Sequence, residues 1–309
     1  MLDIIIRLLT ILSISTVQAT VISIPLSSES VSDSAVEQAV LIPRRIDDTR
    51  ISVETSSGHV FAADVSTGAV LISKGAHDVV SIASLTKLVT AMVVLDQGRD
   101  ALQEPVHFLL SDVKDDSHRT FNVGEEITRK QALQALLIGS VNSAGDALAR
   151  ETMGRDQFIE AMNAKTRSLH LASPTFADPT GISKSNQASA ADVAAILTTA
   201  LSYPEIREIT EMSRITVTGK SGEEYEIKST NLLLASYLNT GSYHIVGAKT
   251  GSLPDAGYSM AQVTRNAKGH EIVVVELAGP DHFNRYVDIK LVTGWIFDTF
   301  TWGDENSGN

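Results

Sequence analysis

The chain has 309 residues, of which 43% are hydrophobic and 20% charged, so it is long enough to form one large domain or two unequal ones. It contains no cysteine, which excludes thiolate catalysis and a disulfide framework. The formal net charge of -12 argues against nucleic acid or anionic lipid as a partner. Its eight histidines lack the spacing that places two ligands on one helix face, so we predict no metal and no cofactor.

The first 19 residues have the pattern of a secretory signal peptide. Arg7 precedes an apolar run at residues 8–14, and small residues lead to a possible cleavage site after Ala19. The run is too short for a permanent membrane anchor, and an uncleaved N-terminal tether is the alternative. We therefore predict an exported protein that keeps no stable membrane anchor once the signal is cleaved.

The next residues predict a loose arm followed by the start of a folded domain. Residues 20–48 are rich in serine and valine without a sustained period, which is typical of a linker or N-terminal arm. From residue 49 the folded domain is expected to begin, with a hairpin of two central strands at 60–64 and 69–72. At residues 84–97 apolar side chains recur every three or four positions, which predicts a largely buried helix.

The rest of the chain predicts helices first and strands afterwards. Four further helices are expected to begin near Thr128, Ser143, Gln157 and Ser189. Three strands and a closing helix are expected at 244–246, 257–263, 271–277 and 283–300. Strands at both ends with helices between them predict an α+β fold, in which one antiparallel sheet from both termini is flanked by helices and carries an inserted helical subdomain.

Ser84 and Lys87 form a Ser-x-x-Lys motif at the start of the first predicted helix. They lie one turn apart on the same helix face, so the lysine amine can reach the serine hydroxyl. The motif by itself is common, and residues 111–114 match it as well. Because acidic residues surround that second match and no apolar helix supports it, we interpret Ser111 as part of a solvated loop.

Two further short motifs follow in order. Ser140-Val141-Asn142 lies between two predicted helices, and Lys249-Thr250-Gly251 lies at the end of a predicted strand. Each has a structural alternative, since a serine can start a helix and a glycine can form a turn. A second Ser-x-Asn at residues 229–231 shows that the short pattern is common. The three motifs together, in this order, indicate the serine centre of penicillin-binding proteins and β-lactamases.

Longer segments around these motifs resemble the low-molecular-mass penicillin-binding proteins, the family of D-alanyl-D-alanine carboxypeptidases and endopeptidases. The segments that carry this resemblance are residues 82–96, 158–165, 176–181, 229–231 and 247–251. The similarity runs from about residue 51 to residue 302 and is nearest to the short, single-domain endopeptidases of the family. It implies a β-lactamase/penicillin-binding transpeptidase-like fold in a peptidase domain of residues 49–303, with a tail at 304–309. Larger relatives carry an additional β-rich domain and an amphipathic anchor, so a soluble endopeptidase is expected.

The resemblance also implies roles for the residues of the first two motifs. Ser84 would be the nucleophile and Lys87 its base, which must be neutral to act, a form that burial and the positive charge of Lys249 would favour. Ser140 would relay the proton to the leaving amine. Asn142 would orient Lys87 and the substrate amide.

The third motif is expected to bind substrate. Lys249, Thr250, Gly251 and Ser252 would surround the carboxylate that follows the scissile bond. The backbone N–H groups of Ser84 and Ser252 would hold the oxyanion. Two positions depart from relatives, Val141 in the second motif and Ser252 after the third, and either could change the shape of the pocket.

The implied partners are peptidoglycan peptides as substrates and β-lactam antibiotics as covalent inhibitors, in the periplasm. Carboxypeptidase activity stays open, as do the diamino acid recognised and any wall-hydrolase partner. One alternative is a serine β-lactamase, but residues 172–190 contain no glutamate to activate the deacylating water as in class A enzymes. A second alternative is a β-lactam-sensing or wall-binding module without turnover.

Overall fold

The computed structural model describes residues 42–46, 53–113 and 120–303, which all belong to one compact unit. The predicted signal peptide and the predicted tail lie outside the described residues. Of the predicted arm, only residues 42–46 are described, and Arg44–Arg45 pairs with Phe300–Thr301. The domain boundaries stay a prediction.

The described elements alternate between short strands and helices in the first two thirds and end in three long strands and a helix. The strands are β1 (Arg44–Arg45), β2 (His59–Asp64), β3 (Val70–Lys74), β4 (Val80–Ser81), β5 (Pro105–His107), β6 (Glu126–Thr128), β7 (Gln187–Ala188), β8 (Arg214–Thr218), β9 (Glu224–Lys228), β10 (Tyr243–Leu253), β11 (Gly257–Asn266), β12 (Glu271–Gly279) and β13 (Phe300–Thr301). The α-helices are α1 (Lys87–Leu95), α2 (Leu110–Val113), α3 (Arg129–Ile138), α4 (Asn142–Met153), α5 (Arg155–Ser168), α6 (Ala190–Ala200), α7 (Pro204–Thr210) and α8 (Asn284–Thr299).

The central sheet has five strands in the order β10-β11-β12-β2-β3, and all its pairs are antiparallel. Because β12 pairs with β2, strands from the two ends of the chain complete one sheet, which confirms the predicted α+β architecture. The prediction that both hairpin strands are central was wrong for β3. Strand β3 lies at the edge of the sheet, where Val70 is 58% exposed. The prediction failed because a short apolar alternation does not show whether a further strand pairs with it.

Helices cover both faces of the sheet and surround α1. Helix α8 packs on β11 and β12, whereas α6 packs on β2, β11 and β12 from the other side. All nine residues of α1 are buried, and α3, α4, α5 and α6 contact it. The apolar periodicity at residues 84–97 therefore predicted the helix that the inserted subdomain encloses.

Capping residues and apolar periodicity in the sequence predicted most of the helix starts. Thr128 and Ser189 form capping boxes at the beginnings of α3 and α6, where each side chain accepts a hydrogen bond from the backbone of the third helical residue. Helix α7 and the hairpin of β8 and β9 were not predicted. Their elements are only five to seven residues long and partly exposed, so their periodic signal is weak.

Strand β10 is longer than the sequence indicates, and this moves the third motif. The predicted strand stopped at Val246, but β10 continues to Leu253, with Lys249 and Gly251 inside it. Lysine and glycine have low strand propensity, so the pairing with β11, not local preference, extends the strand. The motif thus lies along the edge of the sheet and not at the end of a strand.

Glu276 on β12 should make stability fall as pH rises. Burial, and then the charge of Asp288, raises the pKa of Glu276 to about 8. Between the ordinary glutamate pKa of roughly 4.3 and this value, the folded state binds more protons than the unfolded state, so the contribution of Glu276 is complete below that window and lost above it. Glu276→Gln should flatten the fall in melting temperature across the window and stabilise the fold at pH 8 by on the order of a few kcal/mol. An unchanged pH slope, equal to that of the exposed control Glu160→Gln, would contradict this assignment.

Candidate active site

Ser84 and Lys87 meet where a short 3₁₀ turn passes into α1. The turn Ala83–Thr86 ends as α1 begins at Lys87, so the two side chains lie on the same side. Lys87 Nζ donates a hydrogen bond to Ser84 Oγ at 2.9 Å. Lys87 is fully buried, whereas Ser84 is half-buried. The amine is therefore shielded from water while the hydroxyl can be reached.

Two further groups hold the amine of Lys87. Its Nζ donates to Asn142 Oδ1 at 2.8 Å and to the carbonyl of Thr180 at 2.6 Å. Asn142 is the first residue of α4, and Thr180 belongs to the loop between α5 and α6. An ammonium has three N–H donors, so Ser84, Asn142 and Thr180 satisfy all of them and fix where the nitrogen lies.

The loop that carries Thr180 owes its shape to Asp178. This carboxylate accepts hydrogen bonds from the Thr180 hydroxyl and from the backbone N–H groups of Thr180, Gly181 and Ser183. Burial alone would raise the pKa of Asp178, but these hydrogen bonds outweigh it and the net shift is downward. Asn186 ties the loop to the nucleophile turn, since its Nδ2 donates to the Asp178 carbonyl and to Thr86 Oγ1.

Gly181 lets this loop lie directly against the nucleophile turn. Its φ is +86°, and a Cβ built on it would lie 1.9 Å from the carbonyl oxygen of Ala83. Ala83, next to Ser84, itself has a φ of +47°, a region that residues other than glycine rarely adopt. The backbone before the serine is thus held in an uncommon conformation by a neighbour that must be glycine.

Ser140 and Lys249 form the opposite wall of the site. Ser140 lies between α3 and α4 with a φ of +58°, and Lys249 Nζ donates to its Oγ at 2.9 Å. Lys249 is 1% exposed and also donates to the carbonyl of Thr250. Burial first, and then the positive charges of Lys87 and Arg285, lower the pKa of Lys249 well below its usual range. Three basic side chains thus lie close together in one small region.

The third motif lies on β10, the edge strand of the sheet. A Cβ on Gly251 would lie 2.9 Å from the carbonyl oxygen of Ile82 and 3.3 Å from the backbone nitrogen of Ser84. The missing side chain therefore allows β10 to run beside the nucleophile turn. Ser252 is exposed on the same strand. An edge strand keeps unpaired N–H and C=O groups, which an extended peptide can use.

Sequence reasoning missed the residues that support β10 from behind. The hydroxyls of Thr230 and Thr250 are 2.6 Å apart, and Tyr286 donates to the carbonyl of Thr230. Arg285 donates to the carbonyl of Gly251 and to the hydroxyl of Tyr286. Thr230 lies in the Ser-x-Asn match at 229–231, which is one of the segments that carry the resemblance, whereas Arg285 and Tyr286 belong to none of those segments.

Two further sequence predictions concern Val141 and Ser111. Val141 is 6% exposed and packs in the hydrophobic core, and its effect on the shape of the pocket stays a prediction. Ser111 lies exposed in α2, a helical turn where a loop was predicted, and its hydroxyl donates to Asp112.

Within the described ranges, no group of three histidine or acidic side chains could hold a metal ion. No helix in those ranges is long and apolar enough to cross a membrane.

Comparison with known proteins agrees with this geometry. The family model described as D-alanyl-D-alanine carboxypeptidase, peptidase S11, matches residues 47–279. The D-alanyl-D-alanine endopeptidase of Pseudomonas aeruginosa is 30% identical over 249 residues, which are 79% of this chain and 78% of that protein. For the D-alanyl-D-alanine endopeptidase of Escherichia coli K12 the identity is 29% over 282 residues, or 90% and 86% of the two chains.

The fold has a solved counterpart as well. The Streptomyces K15 DD-transpeptidase superposes with a TM-score of 0.74 at 26% identity, covering 81% of this chain and all of that one. The sequence resemblance and the predicted fold are thereby confirmed. The chain belongs to the peptidase S11 family of serine D-alanyl-D-alanine carboxypeptidases and endopeptidases, the low-molecular-mass penicillin-binding proteins.

Proposed function

We propose that this serine D,D-peptidase acts on peptidoglycan as a D,D-endopeptidase that cuts peptide cross-links after D-alanine, with Ser84 as its nucleophile. The observation that carries the proposal is the hydrogen bond from Lys87 to Ser84, held by groups from two other segments of the chain. The endopeptidase preference is supported by two relatives of that name that match over most of their length. The predicted signal peptide supports action in the periplasm.

Acylation would begin with proton transfer from Ser84 to a neutral Lys87. A neutral Lys87 has two N–H groups, which can donate to Asn142 and Thr180, and one lone pair, which accepts the proton of the Ser84 hydroxyl while Ser84 Oγ bonds to the carbonyl carbon of the scissile D-alanine. The backbone N–H groups of Ser84 and Ser252 would hold the oxyanion, and loss of one such donor typically costs about 2.7 to 4 kcal/mol in the barrier. The carbon–nitrogen bond then breaks, and the proton passes through Ser140 to the leaving amine.

Deacylation would use the same lysine in the same role. Neutral Lys87 takes a proton from water, the resulting hydroxide bonds to the acyl carbon, and the oxygen of Ser84 leaves with that proton. Asn142 would keep Lys87 in place through both steps. The peptide is released as a carboxylic acid and Ser84 is regenerated, so no cofactor is needed for the balance.

Lys249 would bind the carboxylate of the residue after the scissile bond, with Thr250, Gly251 and Ser252 beside it. Burial and the like charges of Lys87 and Arg285 lower the pKa of Lys249, so an anion placed there would relieve the repulsion. A cross-linked diamino acid presents its own carboxylate at this position. A β-lactam presents a carboxylate next to a strained amide, which would make it a covalent inhibitor.

The β-lactamase alternative requires fast release of the acyl group. Residues 172–190 contain no glutamate, and their only acidic residue, Asp178, already accepts four hydrogen bonds from its own loop. A carboxylate engaged in this way is a poor base for water, so a long-lived penicillin adduct is expected.

The test follows the mature protein by intact-mass spectrometry with penicillin, alongside purified cross-linked muropeptide dimers. We expect a lasting adduct and conversion of dimers to monomers. Rapid appearance of hydrolysed penicillin with intact dimers would favour the β-lactamase. An adduct without peptide cleavage would favour the sensing module, and release of terminal D-alanine from pentapeptides with dimers untouched would indicate a carboxypeptidase.

A further inference from the structure

An aromatic group formed by Tyr258, His282, Phe283 and Tyr286 lies beside the part of β10 that would bind the substrate carboxylate. The rings of Tyr258 and Phe283 each meet His282 edge-on, at centroid distances of 5.5 and 5.0 Å. Tyr286 meets the same histidine at 5.8 Å. Tyr258 pairs with Ser252 across β10 and β11, so the aromatic group adjoins the third motif.

Arg285 connects the aromatic group to the nucleophile turn. Its Nη1 donates to the carbonyl of Gly251 at 2.8 Å, and a Cβ built on Gly251 would lie 3.3 Å from the backbone nitrogen of Ser84. Its Nη2 lies 3.2 Å from His282 Nδ1. Because a guanidinium can only donate, the histidine ring accepts this hydrogen bond. A continuous series of contacts thus leads from Ser84 to Phe283.

His282 is held in the form that this contact requires. Burial first, and then the positive charge of Arg285, lower the pKa of His282, which keeps its ring neutral. The guanidinium of Arg285 also lies over the rings of Tyr258 and Tyr286, at 5.5 and 4.8 Å from their centroids. The ring of Phe283 therefore packs against a firmly held neighbour.

Phe283 leaves most of its own surface in water. It is 63% exposed, and Val287, one turn later on the same face of α8, is 45% exposed. The backbone of Phe283 is fixed, because its N–H donates to Asp281 and its carbonyl accepts from Val287. Apolar surface in water contributes little to folding but gains free energy when a ligand covers it. Phe283 and Val287 thus present an apolar surface beside the substrate-binding strand.

The carboxylate site by itself cannot distinguish a cross-link from an uncross-linked stem. In both substrates the residue after the scissile bond carries a carboxylate near the scissile nitrogen, which Lys249 and Thr250 would bind in the same way. The two substrates differ beyond that point. A leaving D-alanine ends in one methyl group, whereas a leaving diamino acid continues through a methylene chain into a second stem. A group that selects cross-links must therefore contact this continuation.

We propose that the apolar surface of Phe283 and Val287 binds the methylene groups of the leaving stem and so favours cross-links over terminal D-alanine. This inference rests on the proposed peptidase function, because it assigns a place to the leaving part of that substrate. The occupant follows from continuity, since the same series of contacts that begins at Ser84 ends at this surface.

The dimensions suit such an occupant. Extended chain advances about 3.3 to 3.6 Å per residue, so three residues of the leaving stem span roughly 10 Å. The side chains of Arg285 and His282 separate Gly251 from Phe283 along the series of contacts. A single leaving D-alanine is too short to pass both side chains, whereas the leaving stem of a cross-link is long enough.

The experiment gives the mature protein two substrates with the same acyl-side stem, a cross-linked dimer and a pentapeptide that ends in D-alanine. Phe283→Ala should lower kcat/KM for the dimer by about four- to fifteenfold, as expected when one or two methylene groups lose an apolar contact. The loss should appear in KM, because a contact remote from the reacting atoms is the same in the bound substrate and in the transition state. Phe283→Leu keeps an apolar side chain and should retain most of the wild-type value.

Val70→Ala is the matched control. Val70 is also an exposed apolar residue, 58% exposed, but it lies on β3 at the opposite edge of the sheet from β10. It should leave dimer cleavage at the wild-type level. The acylation rate by penicillin, which has no leaving stem, serves as the reference for every variant, and Phe283→Ala should lower the ratio of dimer cleavage to acylation.

The other outcomes separate the two proposals. An equal fall in dimer cleavage, D-alanine release and acylation would show a structural role for Phe283 and overturn the inference. Unchanged dimer cleavage in Phe283→Ala, or an equal loss in Val70→Ala, would also overturn it, while the endopeptidase proposal would stand. If wild type acylates with penicillin but cleaves no dimer, the endopeptidase proposal fails and this inference fails with it.

Discussion

Ser84→Ala is expected to abolish the penicillin adduct and to lower kcat on muropeptide dimers by on the order of a millionfold, as seen when a serine nucleophile is removed elsewhere. The physical reason is that Lys87 Nζ and the neighbouring N–H groups then have no oxygen to activate. Intact-mass spectrometry measures the adduct, and chromatography of dimers and monomers measures turnover. Thermal unfolding should be nearly unchanged, because the half-buried hydroxyl leaves only a small space.

The second Ser-x-x-Lys match supplies the matched control. Ser111→Ala removes the same atom from an exposed helical turn, where the hydroxyl contacts only Asp112 among the described residues. Adduct formation and turnover should stay at the wild-type level. An adduct that persists in Ser84→Ala, or that disappears in Ser111→Ala, would transfer the nucleophile to the second motif.

Gly181→Ala is expected to disable the site without touching any reacting group. The new methyl would meet the Ala83 carbonyl at 1.9 Å, so the loop and the nucleophile turn must separate. Strain at positive φ together with overpacking should lower the free energy of unfolding by about 2 to 5 kcal/mol. Because Thr180 and the turn then move relative to Lys87, the acylation rate by penicillin should also fall by more than about tenfold.

Gly222→Ala separates the two causes of that loss. Gly222 has a φ of +87°, almost equal to that of Gly181, but a Cβ there meets no atom within 4 Å. It should lower stability by about 1 to 2 kcal/mol from backbone strain alone and leave acylation unchanged. If Gly181→Ala loses no more stability than Gly222→Ala and acylates at the wild-type rate, the contact with Ala83 does not hold the nucleophile turn. Urea unfolding and penicillin acylation kinetics measure the two quantities.

The architecture was accessible from sequence wherever an element is long and strongly patterned. The apolar run of α1, the capping residues Thr128 and Ser189, and the β-branched run of β12 all form the predicted structures, and β11 contains the strand predicted at residues 257–263. Short elements such as α7, β8 and β9 were not predicted, because five to seven residues show too little periodicity. The edge position of β3 was not predicted either, because the residue pattern of a strand does not show which strands pair with it.

The reactive residues were predictable for a chemical reason, and their supports were not. A hydroxyl and an amine three residues apart at a helix start must lie close together, so Ser84 and Lys87 could be paired without coordinates. Thr180 binds Lys87 through its backbone carbonyl, which every residue has, so its residue type does not predict this contact. Arg285 acts from α8 on the opposite face of the sheet.

The sequence by itself determined the fold class, the family and the three motifs, because helix periodicity and short spacings depend on neighbours along the chain. Only the tertiary structure decided that β10 runs past the nucleophile turn at Gly251, that Ser140 meets Lys249, and that Thr180 accepts a hydrogen bond from Lys87. These relations join segments far apart in the chain, and a distance between such segments is set by packing of the whole core.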